Sequence, residues 1–178
     1  NQCTIDVRIA DVADARPPPN LGVVHGEQIP NASSYPFVVA TYDGSKTPAA
    51  GQFCGGSLVA PDWVLTAAHC LYAKRPQELA VHAQAHRRDL SASAASEGGA
   101  DRGVVAYVQH PRYGANPWLY DLALLQLASP VPATVATPVE LDDGSFSAAG
   151  AAATVLGWGS MNVACTKYSP VMRMGAVP

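Results

Sequence analysis

His69 and Asp121 are the residues of this 178-residue chain whose types could share acid–base chemistry. His69 stands in the run Leu65-Thr66-Ala67-Ala68-His69-Cys70, and Asp121 opens Asp121-Leu122-Ala123-Leu124-Leu125-Gln126-Leu127. An imidazole titrates near neutral pH, so it can take a proton from a reacting group and hand it on. A carboxylate on the other ring nitrogen would fix the tautomer and stabilise the imidazolium. Such a pair activates a serine hydroxyl, which is a weak nucleophile without a base in hydrogen-bond reach. On this reading Leu122, Leu124 and Leu125 bury the carboxylate and leave it the histidine as partner. Taken singly, each residue has a plainer role: a structural histidine beside a cysteine, and an aspartate in a strand-end turn.

The elements that must position the pair are short strands. Residues 37–42, 57–59, 63–66, 79–85, 104–109 and 122–127 are apolar, β-branched or aromatic runs. Between them lie turn signals such as Asp43-Gly44, Pro61-Asp62, Glu97-Gly98-Gly99 and Tyr113-Gly114. Many short strands with frequent turns predict an all-β barrel or sandwich. One helical turn after Ala67-Ala68 is expected to hold His69. The Ser-, Ala- and Gly-rich stretch from Asp89 to Gly103 reads as a mobile surface loop. Residues 1–22 form a separate extension ending in the stiff linker Pro17-Pro18-Pro19-Asn20. A junction falls at Asp142-Asp143-Gly144-Ser145, and a new strand starts near Ala152. That division gives an extension (1–22), a barrel (23–141) and the start of a second unit (142–178). The last unit has room for one or two strands, whose exposed edge calls for a partner sheet that this chain does not supply.

Composition narrows the class. Apolar residues make up 48% and charged ones 14%, which is globular rather than disordered. A net charge of −3 argues against nucleic acid or an anionic membrane as partner. The uncharged stretch from Gly144 to Thr166 is broken by glycines and serines and does not read as a membrane span. No signal peptide is visible at Asn1-Gln2-Cys3, as expected of a mature terminus. The four cysteines, Cys3, Cys54, Cys70 and Cys165, include no C-x-x-C pair. With the sequon Asn31-Ala32-Ser33, a candidate glycosylation site, they favour an oxidising, extracellular compartment. His82 and His86 are four apart, but alternation around them predicts a strand rather than a metal-binding helix face.

Six ordered blocks carry a resemblance. They are Val23-Val24-His25-Gly26, Tyr35-Pro36-Phe37, Phe53-Cys54-Gly55-Gly56-Ser57-Leu58, Trp63 to Cys70, His110-Pro111-Arg112-Tyr113 with Asp121 to Leu127, and Gly157-Trp158-Gly159. In order and rough spacing they resemble the first half of a trypsin- or chymotrypsin-like serine protease. The resemblance implies a complete first six-stranded antiparallel β-barrel plus the first strands of a second. It makes His69 the general base and Asp121 its orienting partner. It pairs Cys54 with Cys70 in a disulfide that pins the histidine loop, closing a ring worth about 3 kcal/mol. Cys3 is placed to tether an amino-terminal pro-segment, its mate being Cys165 or a cysteine elsewhere. His110 belongs to a structural His-Pro-x-Tyr turn. Relatives that bind calcium use a carboxylate-rich loop, whereas this chain has Arg87 and Arg88 with only Asp89, Glu97 and Asp101; no metal and no cofactor are expected.

Two departures qualify the resemblance. The family's Gly-Asp-Ser-Gly-Gly nucleophile motif is absent from the sequence. The oxyanion donors and specificity pocket lie in the same missing half, so this polypeptide alone is not expected to cleave peptide bonds. Activation in the family frees the amine equivalent to Val23, yet Leu21-Gly22 precedes it here, and Arg16 is followed by Pro17. The reading is therefore a secreted trypsin-like endopeptidase whose serine lies on a missing or separate chain. The expected partners are that carboxyl-terminal half and a protein or peptide substrate, with no nucleic acid and no membrane insertion. The alternatives are a catalytically inactive homologue acting as a binding, inhibitor or assembly subunit, and an unactivated zymogen.

Overall fold

The computed structural model describes residues 26–29, 34–72, 74–83, 89–91, 99–114, 119–144, 153–162 and 167–177. Expectations for the 1–22 extension, Val23, Asn31, Cys3, His86, Glu97 and Cys165 lie outside these residues. The strands in chain order are β1 (Glu27–Gln28), β2 (Val38–Asp43), β3 (Gln52–Ala60), β4 (Trp63–Thr66), β5 (Leu79–Ala83), β6 (Ala100–Gln109), β7 (Ala123–Leu127), β8 (Ala153–Gly157) and β9 (Arg173–Val177). Six of them close into an antiparallel barrel in the order β2-β3-β4-β7-β6-β5. The fold is all-β, as the alternation and turn signals predict.

The period of two accounts for the barrel core. Along β7, Ala123, Leu125 and Leu127 point inward and are buried, while Leu124 faces out. They meet Val39, Leu58, Val64, Val81 and Val104 from the other strands. β2 breaks the alternation, because its first five residues are all buried. Val39 belongs to the barrel core, whereas Val38 and Ala40 join a second cluster with Ile29, Leu90, Leu156, Trp158 and Met172. A strand covered on both faces is apolar on both, and Val38-Val39-Ala40 fit this while Thr41 is a buried polar exception.

β3 extends beyond the 57–59 run at both ends, from Gln52 to Ala60, with Gly55-Gly56 inside it. A Cβ on Gly56 would sit 2.6 Å from Val64 Cγ1 and 3.0 Å from Leu65 O, so the missing side chain lets β4 approach. Ser57 is 3% exposed inside β3. The stretch read as a loop from Asp89 to Gly103 is corrected at both ends. β6 starts at Ala100, pairing Ala83 with Ala100 and Ala80 with Gly103. Asp89 bridges Val171, and Leu90 is 2% exposed, its N–H donating to Pro170 O. Small residues looked like loop because their burial depends on a distant strand.

The second unit is a three-stranded antiparallel sheet, β1-β9-β8. Within the chain, β9 gains a short neighbour in β1 through Glu27↔Met174 and Gln28↔Arg173, while β8 pairs with β9 on one side and forms the far edge of the sheet among the described residues. The Arg173 guanidinium also donates to Gly26 O. Two residues of β1 were too few to register as a run in the sequence. Among the described residues no helix is long and apolar enough to cross a membrane.

Candidate active site

Strand register brings the pair together. β4 and β7 are neighbours, with Thr66 opposite Ala123. The chain leaving β4 therefore passes beside the chain entering β7, which closes the 52-residue separation between His69 and Asp121. A 3-10 turn, Ala68–Leu71, follows β4 and carries His69, as the expected helical turn requires. Cys70 N–H donates to Ala67 O and Tyr72 N–H to His69 O. Gln109, at the end of β6, donates from Nε2 to Ala68 O at 3.0 Å and ties the turn to the barrel. Behind it, Cys54 and Cys70 form the implied disulfide, with Cα atoms 6.2 Å apart.

The two Asp121 oxygens divide their work. Oδ2 lies 2.6 Å from His69 Nδ1, and Oδ1 accepts the His69 backbone N–H at 2.8 Å. An ionised carboxylate only accepts, so Nδ1 carries the proton of the shared bond. In the tautomer so fixed, Nε2 is the nitrogen left to act as acceptor. That atom is 3.6 Å from Cys70 Sγ, a disulfide sulfur with no proton to give, so its lone pair remains available as a base. The imidazole side chain is 25% exposed and the carboxylate 29%.

The leucine shield is a correction. Leu125 is buried, but Leu124 on the outer face of β7 is 37% exposed and Leu122, just before the strand, is 48% exposed. Hydrogen bonding, more than apolar cover, decides the state of the carboxyl. Burial pushes the Asp121 pKa up, but bonds from the His69 ring and backbone, the histidine charge and the Ala68 N–H outweigh it and hold it below the usual range. Tyr113 responds in turn: burial and then the Asp121 charge push its phenol up.

His69, Cys54, Tyr113, Trp158, Tyr168 and Ser169 are among the residues lining an open depression of about 1190 Å³. The base therefore faces space bounded by the barrel on one side and by the segments between β8 and β9 on the other. Cys54, His69 and Cys70 lie close enough to resemble a metal cluster. The disulfide removes both sulfurs from the donor set. His110 sits in its turn as expected, with its N–H donating to Leu122 O and its Nδ1 accepting the Arg112 N–H. Gln109, Tyr113 and Tyr120 were not singled out as site residues. Gln109 and Tyr113 follow the strand and turn pattern, and nothing in the type of Tyr120 announces its backbone conformation.

A closed antiparallel barrel with a histidine–carboxylate pair at its rim, packed against a second sheet, defines a trypsin-like serine protease fold. The family profile "Trypsin" matches residues 23–178. The chain is 35% identical over 138 residues to a trypsin of Saccharopolyspora erythraea, covering 78% of this chain and 56% of that protein. It is 31% identical over 169 residues to coagulation factor XII of Sus scrofa, covering 89% and 26%, respectively. Granzyme M of Homo sapiens is 41% identical over 111 residues, covering 61% of this chain and 40% of that protein. The solved human heparin binding protein superposes with a TM-score of 0.71 at 23% identity, over 86% of this chain and 64% of that one. The chain belongs to the trypsin family. It spans about a quarter to just over half of the length of these curated relatives.

Proposed function

We propose that this chain supplies the base and the orienting carboxylate of a secreted serine endopeptidase, the nucleophilic serine lying on further or separate polypeptide. The observation that carries the reading is the doubly tied Asp121, 2.6 Å from His69 Nδ1. With Nδ1–H committed to Asp121, Nε2 takes the proton of the attacking serine and returns it to the leaving amine, while the carboxylate stabilises the imidazolium. In the same reading Val23 is the amino terminus freed on activation, and Asn31 carries a glycan. The 1–22 extension precedes the first barrel, and residues from 142 onward begin the second.

The test combines this chain with a polypeptide carrying a Gly-Asp-Ser-Gly-Gly segment. Labelling by a fluorophosphonate probe, with peptide hydrolysis that His69→Ala abolishes, is the expected result. Labelling that is indifferent to His69→Ala, or no labelling of the properly folded assembly, would sink the reading. One alternative is an inactive homologue that works by binding, distinguished by another residue at the position of the nucleophilic serine. A further alternative, the unactivated zymogen, differs in gaining activity only after cleavage before Val23.

A further inference from the structure

Tyr120, immediately before Asp121, is the described non-glycine residue with a positive φ, at 60°. That left-handed conformation is costly for a bulky side chain and persists where surrounding contacts over-determine it. Here the contacts are visible. The His110 ring stacks on the Tyr120 ring with centroids 4.7 Å apart and planes 9° from parallel. The Arg112 guanidinium lies 4.5 Å over the same ring and also donates from a terminal nitrogen to the phenol oxygen at 2.7 Å. His110 and Arg112 are tied to each other through the Arg112 N–H and His110 Nδ1, 3.2 Å apart.

The backbone beyond Tyr120 turns at once. Leu122 N–H donates to Tyr120 O at 2.8 Å, which closes a three-residue turn with Asp121 at its apex. His110 N–H then holds Leu122 O at 2.9 Å, so the residue that stacks on Tyr120 also stitches the far side of the turn. The direction of the Asp121 side chain follows from the two backbone angles on either side of it. We infer that Tyr120, held by His110 and Arg112 in a left-handed conformation, is a positioning residue that aims the Asp121 carboxylate at His69.

This inference rests on the proposed role of the pair, but its test needs no catalysis. In the 178-residue chain the His69 Nδ1–H bonded to Asp121 gives a low-field proton resonance, assigned by its loss in Asp121→Asn. Tyr120→Ala keeps a Cβ that disfavours positive φ and removes those ring contacts. It should speed exchange of that proton with water by about tenfold, while amides of the barrel strands stay protected. Tyr120→Gly removes the same ring but adopts positive φ freely, so it should recover most of the wild-type exchange rate. A residue that merely packs would behave in the opposite order, glycine being no better than alanine.

Tyr120→Phe and Arg112→Met keep the stack and lose the phenol–guanidinium bond, and each should speed exchange about threefold. These two variants decide the matter if Tyr120→Ala does not fold. Exchange unchanged in Tyr120→Ala, glycine no better than alanine, or exchange unchanged in both milder variants would each overturn the inference. A chain that follows the expected order yet yields no hydrolysis with its complementary half keeps this inference and loses the proposed function.

Discussion

Asp121 experiences opposing influences, and the balance predicts its behaviour with pH. Burial favours the neutral acid, while the His69 and Ala68 donors favour the anion and prevail. A carboxyl with a depressed folded-state pKa adds stability above its unfolded value, near 4. That contribution disappears as pH falls through the lower folded value. The melting temperature of the chain should therefore drop on acidification below about pH 4, and Asp121→Asn should flatten that part of the profile; a parallel profile in the variant would refute the assignment. In an assembled enzyme the same substitution leaves Nδ1 facing an amide, and kcat is expected to fall about 10⁴-fold with KM little changed. Tyr42 works at the other extreme. Burial first, then the charge and hydrogen bond of Asp101, push its phenol up to about 12. A raised folded-state value means stability that is intact below the unfolded pKa near 10 and lost as pH climbs toward the folded one. Alkaline unfolding followed by circular dichroism should show this loss, and Tyr42→Phe should lack it.

Among the elements, β3 and β4 set the geometry on which the histidine turn depends. Gly56→Ala forces a methyl group against Val64 and the Leu65 carbonyl, and the expected cost is about 1–3 kcal/mol in denaturant unfolding. A neutral result would mean that β4 moves aside without consequence. Reducing Cys54–Cys70 should cost about 3 kcal/mol and loosen the turn bearing His69, a change measurable by amide exchange at Cys70 and Tyr72. Much at this scale was legible beforehand. The β4 and β7 runs are short, apolar and bounded by turn signals, and Ala67-Ala68 before His69 reads as a short turn. What escaped was set by partners far along the chain. β6 begins at Ala100 because β5 lies beside it, and Leu90 is buried because residues 170–172 cover it. Leu122 and Leu124 misled because apolar residues at a strand start look like cover for their neighbour. Leu124 instead follows the period of two outward, and Leu122 lies exposed just before the strand. Tyr120 was illegible for a related reason, since its backbone angle is imposed by His110 and Arg112 rather than by its own preference.

Across the whole molecule, β2 serves two cores at once. Trp158, 1% exposed, fills the cluster between β2 and the second sheet. Trp158→Ala is expected to cost about 3–5 kcal/mol. The loss should appear first as faster amide exchange in β8 and β9, with β4 and β7 still protected. Uniform loss across both sheets would instead mean that the two units unfold as one. The pairing of β1 with β9 also bears on how this protein is made. The barrel can close once Leu127 has emerged from the ribosome, but the strand at Glu27 must wait for about 45 more residues before Arg173 emerges in turn. At ordinary translation speeds that leaves the amino-terminal strand without its mate for roughly 2–9 s. Throughout that interval it is open to chaperones, or to pairing with a neighbouring nascent chain.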